Sequence, residues 1–450
     1  MNLIDKVKAA GVVGAGGAGF PTHVKLNTKV EYFIVNAAEC EPLIETDKYL
    51  IRTYADRIIK TIPIIADSLE ASKKVIALKG AYQKEIAALK KAIADQNSDV
   101  EIFEMGYFYP AGDEQTMIQQ VTGRCIPERG LPSDVGCVVD NVGTVLNIAD
   151  ALEEKPVIEK YLSVVGEVNK PLQLHVPIGT SVLECVKAAG PTVSDFALIM
   201  GGPMMGKKLT TKEEMEQAVV TKTTGNIIVL PKDHYLFKKA ALSMETVRKQ
   251  AKSACLQCKM CTDLCPRYLI GHQIRPNLMM RGLWREPTVT DNDEYLALFG
   301  EAVNCCSCGV CEMFACPMGL SPRRVNEYLK AELRNRGIQV PKNTEPHARE
   351  FVQERKTPTN RLIARLGLSE YYGKHPASCE ELNPETVFIP FSQHIGKPAV
   401  PVKKAGDKIV KGELLAEAAQ GGLSVNIHSS VNGVIEEVRE NGAYIRCGKE

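Results

Sequence analysis

The sequence predicts four folded units in series. They are an α/β unit, a small β-grasp-like unit, a cysteine-rich helical unit and an all-β barrel-sandwich unit at the C-terminal end. Three observations carry this. Strand-like and helix-like stretches alternate over residues 1–150, as in an α/β sandwich with a largely parallel sheet. Two cysteine strings stand fifty residues apart, at Cys255 and Cys305. From Val387 onward the chain reads strand–turn–strand, punctuated by Gly396, Gly406, Gly412, Gly421, Gly422 and Gly433.

Residues 2–10 carry Leu3, Ile4, Val7 and Ala10 at helical spacing. A glycine-rich stretch, Gly14 to Pro21, follows. Glu31–Ala37 reads as a buried strand, Asp56–Lys73 as a helix and Val75–Leu78 as a strand. Tyr82–Asp95 reads as a helix, Val100–Glu104 as a strand and Gly136–Val139 as another. Short β-rich pieces at Tyr161–Gly166, Leu172–Val176 and Phe196–Met200 surround one helical stretch, Ser181–Ala189. The expected partition is 1–150, 151–225, 226–335, a charged and proline-broken linker at 336–385 with one helix near Thr359–Leu366, and 386–450.

At 450 residues, the length alone suggests about three domains. The hydrophobic fraction of 44% and charged fraction of 24% are ordinary for a globular chain. A net charge of +1 gives no reason to expect a nucleic-acid partner. The charge is uneven: Lys232–Arg285 holds eleven Lys/Arg against Asp233, Glu245 and Asp263. Anionic groups bound nearby would balance this excess; a docking face for an acidic redox partner is the alternative. No apolar run reaches the ~18 residues of a membrane span. Fifteen cysteines without a recognisable signal peptide point to a reducing, cytoplasmic location.

The first cysteine string is Cys255-x2-Cys258-x2-Cys261-x3-Cys265-Pro266, the run of bacterial [4Fe–4S] ferredoxins. The second, Cys305-Cys306-x-Cys308-x2-Cys311-x4-Cys316-Pro317, repeats it with one extra residue before the last cysteine. Three thiolates at x2 intervals can wrap three corners of a cubane from one loop, and the following proline turns the chain away. In two-cluster ferredoxins the fourth cysteine of each run serves the other cluster. The expected sets are therefore Cys255, Cys258, Cys261 with Cys316, and Cys305, Cys308, Cys311 with Cys265. Cys305 has the x2 spacing to Cys308, and its neighbour Cys306 remains the alternative ligand. Disulfides do not suit a reducing compartment, and zinc usually takes two separated C-x2-C pairs. Ile270–Gly300 is too long for a minimal ferredoxin and reads as helices of an α-helical two-cluster ferredoxin domain.

Gly14-x-Gly16-x-x-Gly19 matches the dinucleotide-binding fingerprint by letter, with Glu39 about twenty residues on. The fingerprint needs a buried strand before the glycines and a helix opening on them. Here the preceding residues read as helix, and Pro21 would fall in the first turns of the required helix. The loop is instead a phosphate-friendly turn whose backbone N–H groups can approach an anion, with Lys25 as a point charge.

Gly16-Gly17-Ala18-Gly19-Phe20-Pro21-Thr22 with Lys25, and Asn36-Ala-Ala-Glu39-Cys-Glu41-Pro42, resemble the flavin site of the NADH-binding 51 kDa subunit of respiratory complex I. Tyr109-Pro-Ala-Gly112-Asp113-Glu114 and Asn141-Val-Gly-Thr144 are closer to the C subunit of Rnf electron-transport complexes, as are Gly201–Gly206 and the motifs around Gln393, His394 and His428. The domain order, with the barrel-sandwich unit last, is similar to that of the PduS-type cobalamin reductases of bacterial microcompartments. The resemblance spans nearly the whole chain.

That resemblance implies an α/β flavin-binding domain, an SLBB-type β-grasp domain, the helical ferredoxin domain and an Rnf-type barrel-sandwich domain. It implies FMN held by Gly14, Gly16, Gly17 and Gly19 with Lys25, Asn36, Glu39, Asn141 and Thr144. It places NADH, the electron donor, against Phe20, Glu41 and Glu114. Ala15 and Ala38 stand where complex I has an arginine and an aspartate, which alters the pocket's polarity. The implied activity is NADH-dependent electron transfer to cobalamin, with a microcompartment shell protein or an adenosyltransferase as partner. The alternatives are an electron-transfer or shell-docking module without NADH activity, and a peripheral component of an Rnf-like complex. No side chain is expected to act as nucleophile or general acid. The last unit also resembles lipoyl and biotinyl carriers, but Leu423–His428 has no lysine to modify, so no covalent carrier group is expected. His394 and His428 read as packed or turn histidines. The N-terminal helix is expected to pack on the flavin domain rather than serve as an encapsulation tag.

Overall fold

In the computed structural model, which describes residues 2–376 and 378–448, the chain opens with helix α1 (Leu3–Ala9), the glycine loop and the short α2 (Thr22–Lys25). Then come β1 (Tyr32–Asn36), α3 (Thr46–Ser68), β2 (Lys73–Lys79), α4 (Gln83–Gln96), β3 (Glu101–Met105) and β4 (Phe108–Tyr109). They are followed by α5 (Glu114–Thr122), β5 (Cys137–Asn141) and α6 (Val142–Leu152). Four of these strands form an all-parallel sheet in the order β3–β2–β1–β5. Such a sheet is covered on both faces, so its strands are apolar throughout. Phe33 and Val35 of β1 pack under α3, α4 and α6, whereas Ile34 faces Met117 and Ile118 of α5 on the other side. Val7 of α1 belongs to the first of these cores. α3 begins ten residues before the expected Asp56 and ends at Ser68, before β2. Its polar first turn, Thr46-Asp47-Lys48, carries no apolar periodicity to announce it.

The second unit contains β6 (Glu159–Gly166), β7 (Leu172–Pro177), α7 (Val182–Ala189), β8 (Phe196–Met200), β9 (Lys207–Leu209), α8 (Lys212–Gln217) and β10 (Asn226–Pro231). β10 lies between β6 and β8, parallel to the first and antiparallel to the second. The expected boundary at residue 225 therefore falls one strand too early, because β10 is a continuous apolar run that only the sheet's centre can bury.

The helical unit holds α9 (Tyr235–Ala240), α10 (Met244–Ala254), α11 (Met260–Asp263), α12 (Pro266–Leu269), α13 (Pro276–Gly282), α14 (Asn292–Phe299) and α15 (Pro322–Asn335). Val247, Met279, Tyr295, Phe299 and Leu329 share its core. The expected linker at 336–385 proves to be packed structure. β11 (Thr357–Pro358) pairs with β4. α16 (Thr359–Arg365) buries Leu362 and Ile363, and β12 (Cys379–Glu381) extends the second sheet beside β7. α16 is the helix expected near Thr359–Leu366, but the charge and proline content of this stretch hid its packing: Leu362, Ile363, Leu366, Leu368 and Tyr371 are all buried in one shared core.

The last unit packs β13 (Thr386–Pro390), β14 (Val400–Pro401), β15 (Lys408–Ile409), β16 (Leu414–Glu417), β17 (Ile427–His428), β18 (Gly433–Arg439) and β19 (Gly442–Cys447) into two small sheets. Its core takes in Val13 from the glycine loop. Among the described residues no helix is long and apolar enough to cross a membrane.

Candidate functional site

A cavity of about 810 Å³ opens at the carboxyl ends of β1 and β5, where parallel α/β sheets take their ligands. The glycine loop (Ala15–Ala18), Asn36, Glu39, Glu41, Asp47, Glu114 and Asn141 line one side. Lys160, Gly201, Gly202, Thr221 and Thr223–Asn226 line it from the second unit. Cys306 and Cys308 of the second cysteine string line another part of the wall.

Local hydrogen bonds set the first side. Ala15 N–H donates to Thr144 Oγ1 at 2.9 Å, and Asn141 caps α6 by accepting from Gly143 N–H at 2.8 Å. Asn141 Nδ2 donates to Asp47 at 2.7 Å, and Asn36 Nδ2 to the Gly112 carbonyl at 2.9 Å. Of the residues expected to hold FMN or NADH, Gly16, Gly17, Asn36, Glu39, Glu41, Glu114 and Asn141 line the cavity. Gly14, Gly19, Phe20, Lys25 and Thr144 are not among its lining residues. Lys25 is already engaged: its Nζ donates to Glu114 at 3.1 Å and to the Val139 carbonyl, and sits 3.6 Å from Asp140. Burial would lower its pKa, but Asp140 and Glu114 outweigh burial and raise it.

The glycine stretch lies between α1 and α2, with Val13 and Pro21 bridged, and not between a strand and a long helix. The C-terminal unit clamps it. Ile395 N–H donates to the Gly19 carbonyl at 3.1 Å, and Gly19 has φ +74°, where a Cβ would lie 3.0 Å from Thr223 and 3.1 Å from the Gln393 carbonyl oxygen. Lys222 Nζ joins three units by donating to Gly11 O at 2.6 Å and Asn426 O at 2.9 Å. Burial without an acidic partner pushes its pKa down to about 7.

Glu41 is held from the second unit. Its carboxylate accepts from Met204 N–H and Met205 N–H, each at 2.9 Å. Gly202 packs so closely that a Cβ would lie 2.2 Å from the carboxylate. Arg323 Nη1 donates to the Met204 carbonyl at 2.9 Å, tying that loop to the helical unit. Burial pushes the Glu41 carboxyl up to about 7, against the two N–H donors, and burial with Asp47 nearby pushes Glu39 up to about 8.

The structure brings Cys255, Cys258, Cys261 and Cys316 to one cavity, and Cys265, Cys305, Cys306, Cys308 and Cys311 to another. The two loops follow the same path. Gln257 and Lys259 have positive φ in the first, Ser307 and Gly309 in the second. These positions coincide when Cys305 is matched to Cys255, and not when Cys306 is. The extra residue of the second string sits in a π-helical turn, Val310–Ala315, where the first string has the α-turn of α11; a π-turn is how a helix absorbs one added residue. Backbone and amide groups already point at the sulfurs: Ser307 N–H at Cys305 Sγ, Gln257 Nε2 at Cys255 Sγ and Leu320 N–H at Cys316 Sγ. Arg267, two residues after Cys265, forks the Asp113 carboxylate at 2.5 and 2.8 Å, joining the first string to the cavity wall.

These donors suit the cofactors that the motifs imply. A volume of about 810 Å³ falls in the ~300–1,000 Å³ range of ligand sites, and Gly17 faces open space. The thiols surround a space and not a point: among the described residues no three His, Cys, Asp or Glu side chains converge on a single metal ion. Sequence reasoning missed Asp47, Lys160, Thr221, Thr223, Thr224 and the wall position of Cys306. Only Lys160 carried a signal, as a cation at the start of an apolar strand.

The fold and donors define a flavin and iron–sulfur electron-transfer protein. Family models match in three places: the Nuo51 FMN-binding domain over residues 7–150, a 4Fe-4S dicluster domain over 254–321 and the RnfC barrel sandwich hybrid domain over 371–445. The chain is 43% identical to the cobalamin reductase PduS of Salmonella typhimurium, covering 99% of this chain and 96% of that protein. It is 41% identical to PduS of Citrobacter freundii over the same shares. It is 32% identical to the C subunit of the proton-translocating ferredoxin:NAD(+) oxidoreductase complex of Clostridium ljungdahlii, over 59% of this chain and 56% of that one. The chain belongs to the PduS cobalamin reductase family.

Proposed function

We propose that this protein is an NADH-dependent flavin and iron–sulfur reductase whose terminal acceptor is cobalamin. One observation carries the reading: a single cavity is walled by the glycine loop and its carboxylates and also by Cys306 and Cys308. When bound, a flavin supplies the conversion of a two-electron donor into single electrons, and iron–sulfur clusters supply one-electron carriers. In this reading FMN is held by the Gly14–Gly19 loop with Lys25, Asn36, Glu39, Asn141 and Thr144, several of which act by fixing the wall. Cys265, Cys305, Cys308 and Cys311 hold one [4Fe–4S] cluster beside the cavity. Cys255, Cys258, Cys261 and Cys316 hold a second, near the surface where Cys258 is exposed. Phe20, Glu41 and Glu114 orient the nicotinamide and exchange no proton. The second sheet is read as an SLBB-type β-grasp domain. A place inside a bacterial microcompartment, beside a shell protein or an adenosyltransferase, belongs to the same reading.

One observation favours a second reading, an electron-transfer module without NADH activity. Glu41 is already occupied by the Met204 and Met205 N–H groups, so nicotinamide must compete for it. Anaerobic incubation with NADH and oxidised cobalamin separates the two. The first reading expects cobalamin reduction, lost in Glu41→Gln while flavin is retained. Reduction by a reduced ferredoxin but not by NADH would establish the second.

A further inference from the structure

One face of α15 meets the nearer cysteine cavity. Arg323, Asn326 and Lys330 follow one another at helical spacing on it. Lys330 Nζ donates to the Cys305 carbonyl at 3.1 Å. Arg323 and Asn326 line the cavity together with Cys265, Cys305, Cys306, Cys308 and Cys311. Arg323 packs so near the second cysteine loop that a Cβ on Gly309 would lie 3.5 Å from its Nη1.

Asn326 is 0% exposed, yet neither polar atom of its side-chain amide has a hydrogen-bond partner among the described residues. The Arg323 Nε is buried and unpartnered as well. Glu312 and Glu327 lie 3.6 and 3.8 Å from it, balancing the charge of the guanidinium without accepting a hydrogen bond from Nε. A buried polar group without a partner is costly and rare, and here two stand on one helix face against one cavity. The other cysteine cavity differs: among the described residues, none of its lining side chains is a buried polar group without a partner. Arg323 is fixed from the second unit, through the Met204 carbonyl that accepts from its Nη1.

We propose that Asn326 Nδ2 and Arg323 Nε are positioning donors for the nearer iron–sulfur cluster, serving its sulfurs, and that they raise its reduction potential above that set by its thiolates alone. Hydrogen bonds to sulfur help set the potential of such clusters. A donor favours the form with more negative charge, which is the reduced one. The face of α15 thus makes the cluster beside the large cavity the readier acceptor of an electron from it. This rests on the reading of Cys265, Cys305, Cys308 and Cys311 as cluster ligands.

The test is an anaerobic redox titration of the reconstituted full-length protein, followed by EPR, with the nearer cluster identified as the one that Cys305→Ser alters. Asn326→Leu keeps the bulk of the side chain and removes its donors. It is expected to disfavour reduction of that cluster roughly tenfold, ~59 mV for one electron, with the other cluster unmoved and the iron content unchanged. Arg323→Met is expected to lower the same potential. Wild-type protein labelled with 15N at the asparagine side-chain amides reads the Asn326 contact without a variant: pulsed EPR is expected to show a 15N coupling on the nearer cluster. Asn304, beside Cys305, gives its amide to the Gln273 carbonyl instead. An unmoved potential in Asn326→Leu, an equal shift of both clusters, or no 15N coupling overturns the proposal. Should Asn326→Leu fail to hold iron, the coupling in labelled wild-type protein decides. Wild-type protein that assembles no iron–sulfur cluster overturns the cluster reading and this proposal together.

Discussion

The Tyr109 phenol donates a 2.8 Å hydrogen bond to the carbonyl of Cys308. Both residues line the large cavity, and Tyr109 is 1% exposed. The contact fixes the second cysteine loop against the wall that carries Gly112, Asp113 and Glu114, so the cavity and the nearer cysteine cluster share a boundary. Tyr109→Phe leaves the buried Cys308 carbonyl without this donor, at ~1–3 kcal/mol. Urea unfolding followed by cluster absorbance is expected to show an earlier midpoint, with iron content unchanged in native buffer. An unchanged midpoint would mean that the contact contributes no stability.

Cys305, and not Cys306, is expected to bind iron, because the left-handed positions of the two loops coincide only in that register. Cys305→Ser is expected to lose about half of the iron and acid-labile sulfide, or to convert one cluster to a three-iron form visible by EPR. Cys306→Ser is expected to keep both clusters. The reverse pattern would reassign the ligand.

Burial and the neighbouring Asp47 push Glu39 up to about 8 from the ordinary carboxylate value near 4.5. A raised carboxyl favours the protonated folded state, so its stabilising contribution is complete below pH 4.5 and is lost as pH rises through about 8. Glu39→Gln removes that dependence. Its stability relative to wild type is expected to rise between pH 5 and pH 8.5 by about 2 kcal/mol or more, measured by denaturant unfolding of the flavin-free protein. A difference that stays flat with pH would show that Glu39 does not hold its proton in the folded protein.

Gly19→Ala places a Cβ at φ +74°, against Thr223 and the Gln393 carbonyl, at ~1–2 kcal/mol for the backbone alone. The strain falls where the barrel-sandwich unit holds the glycine loop. The variant is expected to lose FMN and to release the C-terminal unit to limited proteolysis sooner than wild type. Unaltered FMN content and proteolysis would show that the clamp does not support the loop.

Chemistry set by local spacing was the most legible feature. Cysteine intervals, the glycine run and the alternation of the first 150 residues are all short-range. What escaped was long-range. β10 reads as an ordinary apolar strand and could be placed only by its partners β6 and β8. Leu362 and Ile363 fall in the helix expected near Thr359–Leu366, but their burial depends on a core shared with Tyr109 and Leu230. The capture of Glu41 by Met204 and Met205 joins positions 163 and 164 residues apart. So does the reach of Lys160 to Ala15, 145 residues away. The Glu41 contact leaves no local trace, and Lys160 shows only as a cation at the start of an apolar strand.

An anaerobic titration of the reconstituted protein with NADH, followed by visible absorbance, tests most directly whether the cavity and the cysteine clusters form one path from a nicotinamide donor. Flavin and iron–sulfur bands are expected to bleach together as NADH is added. Bands left intact by NADH, in protein that dithionite does bleach, would contradict it and establish the module that takes its electrons elsewhere.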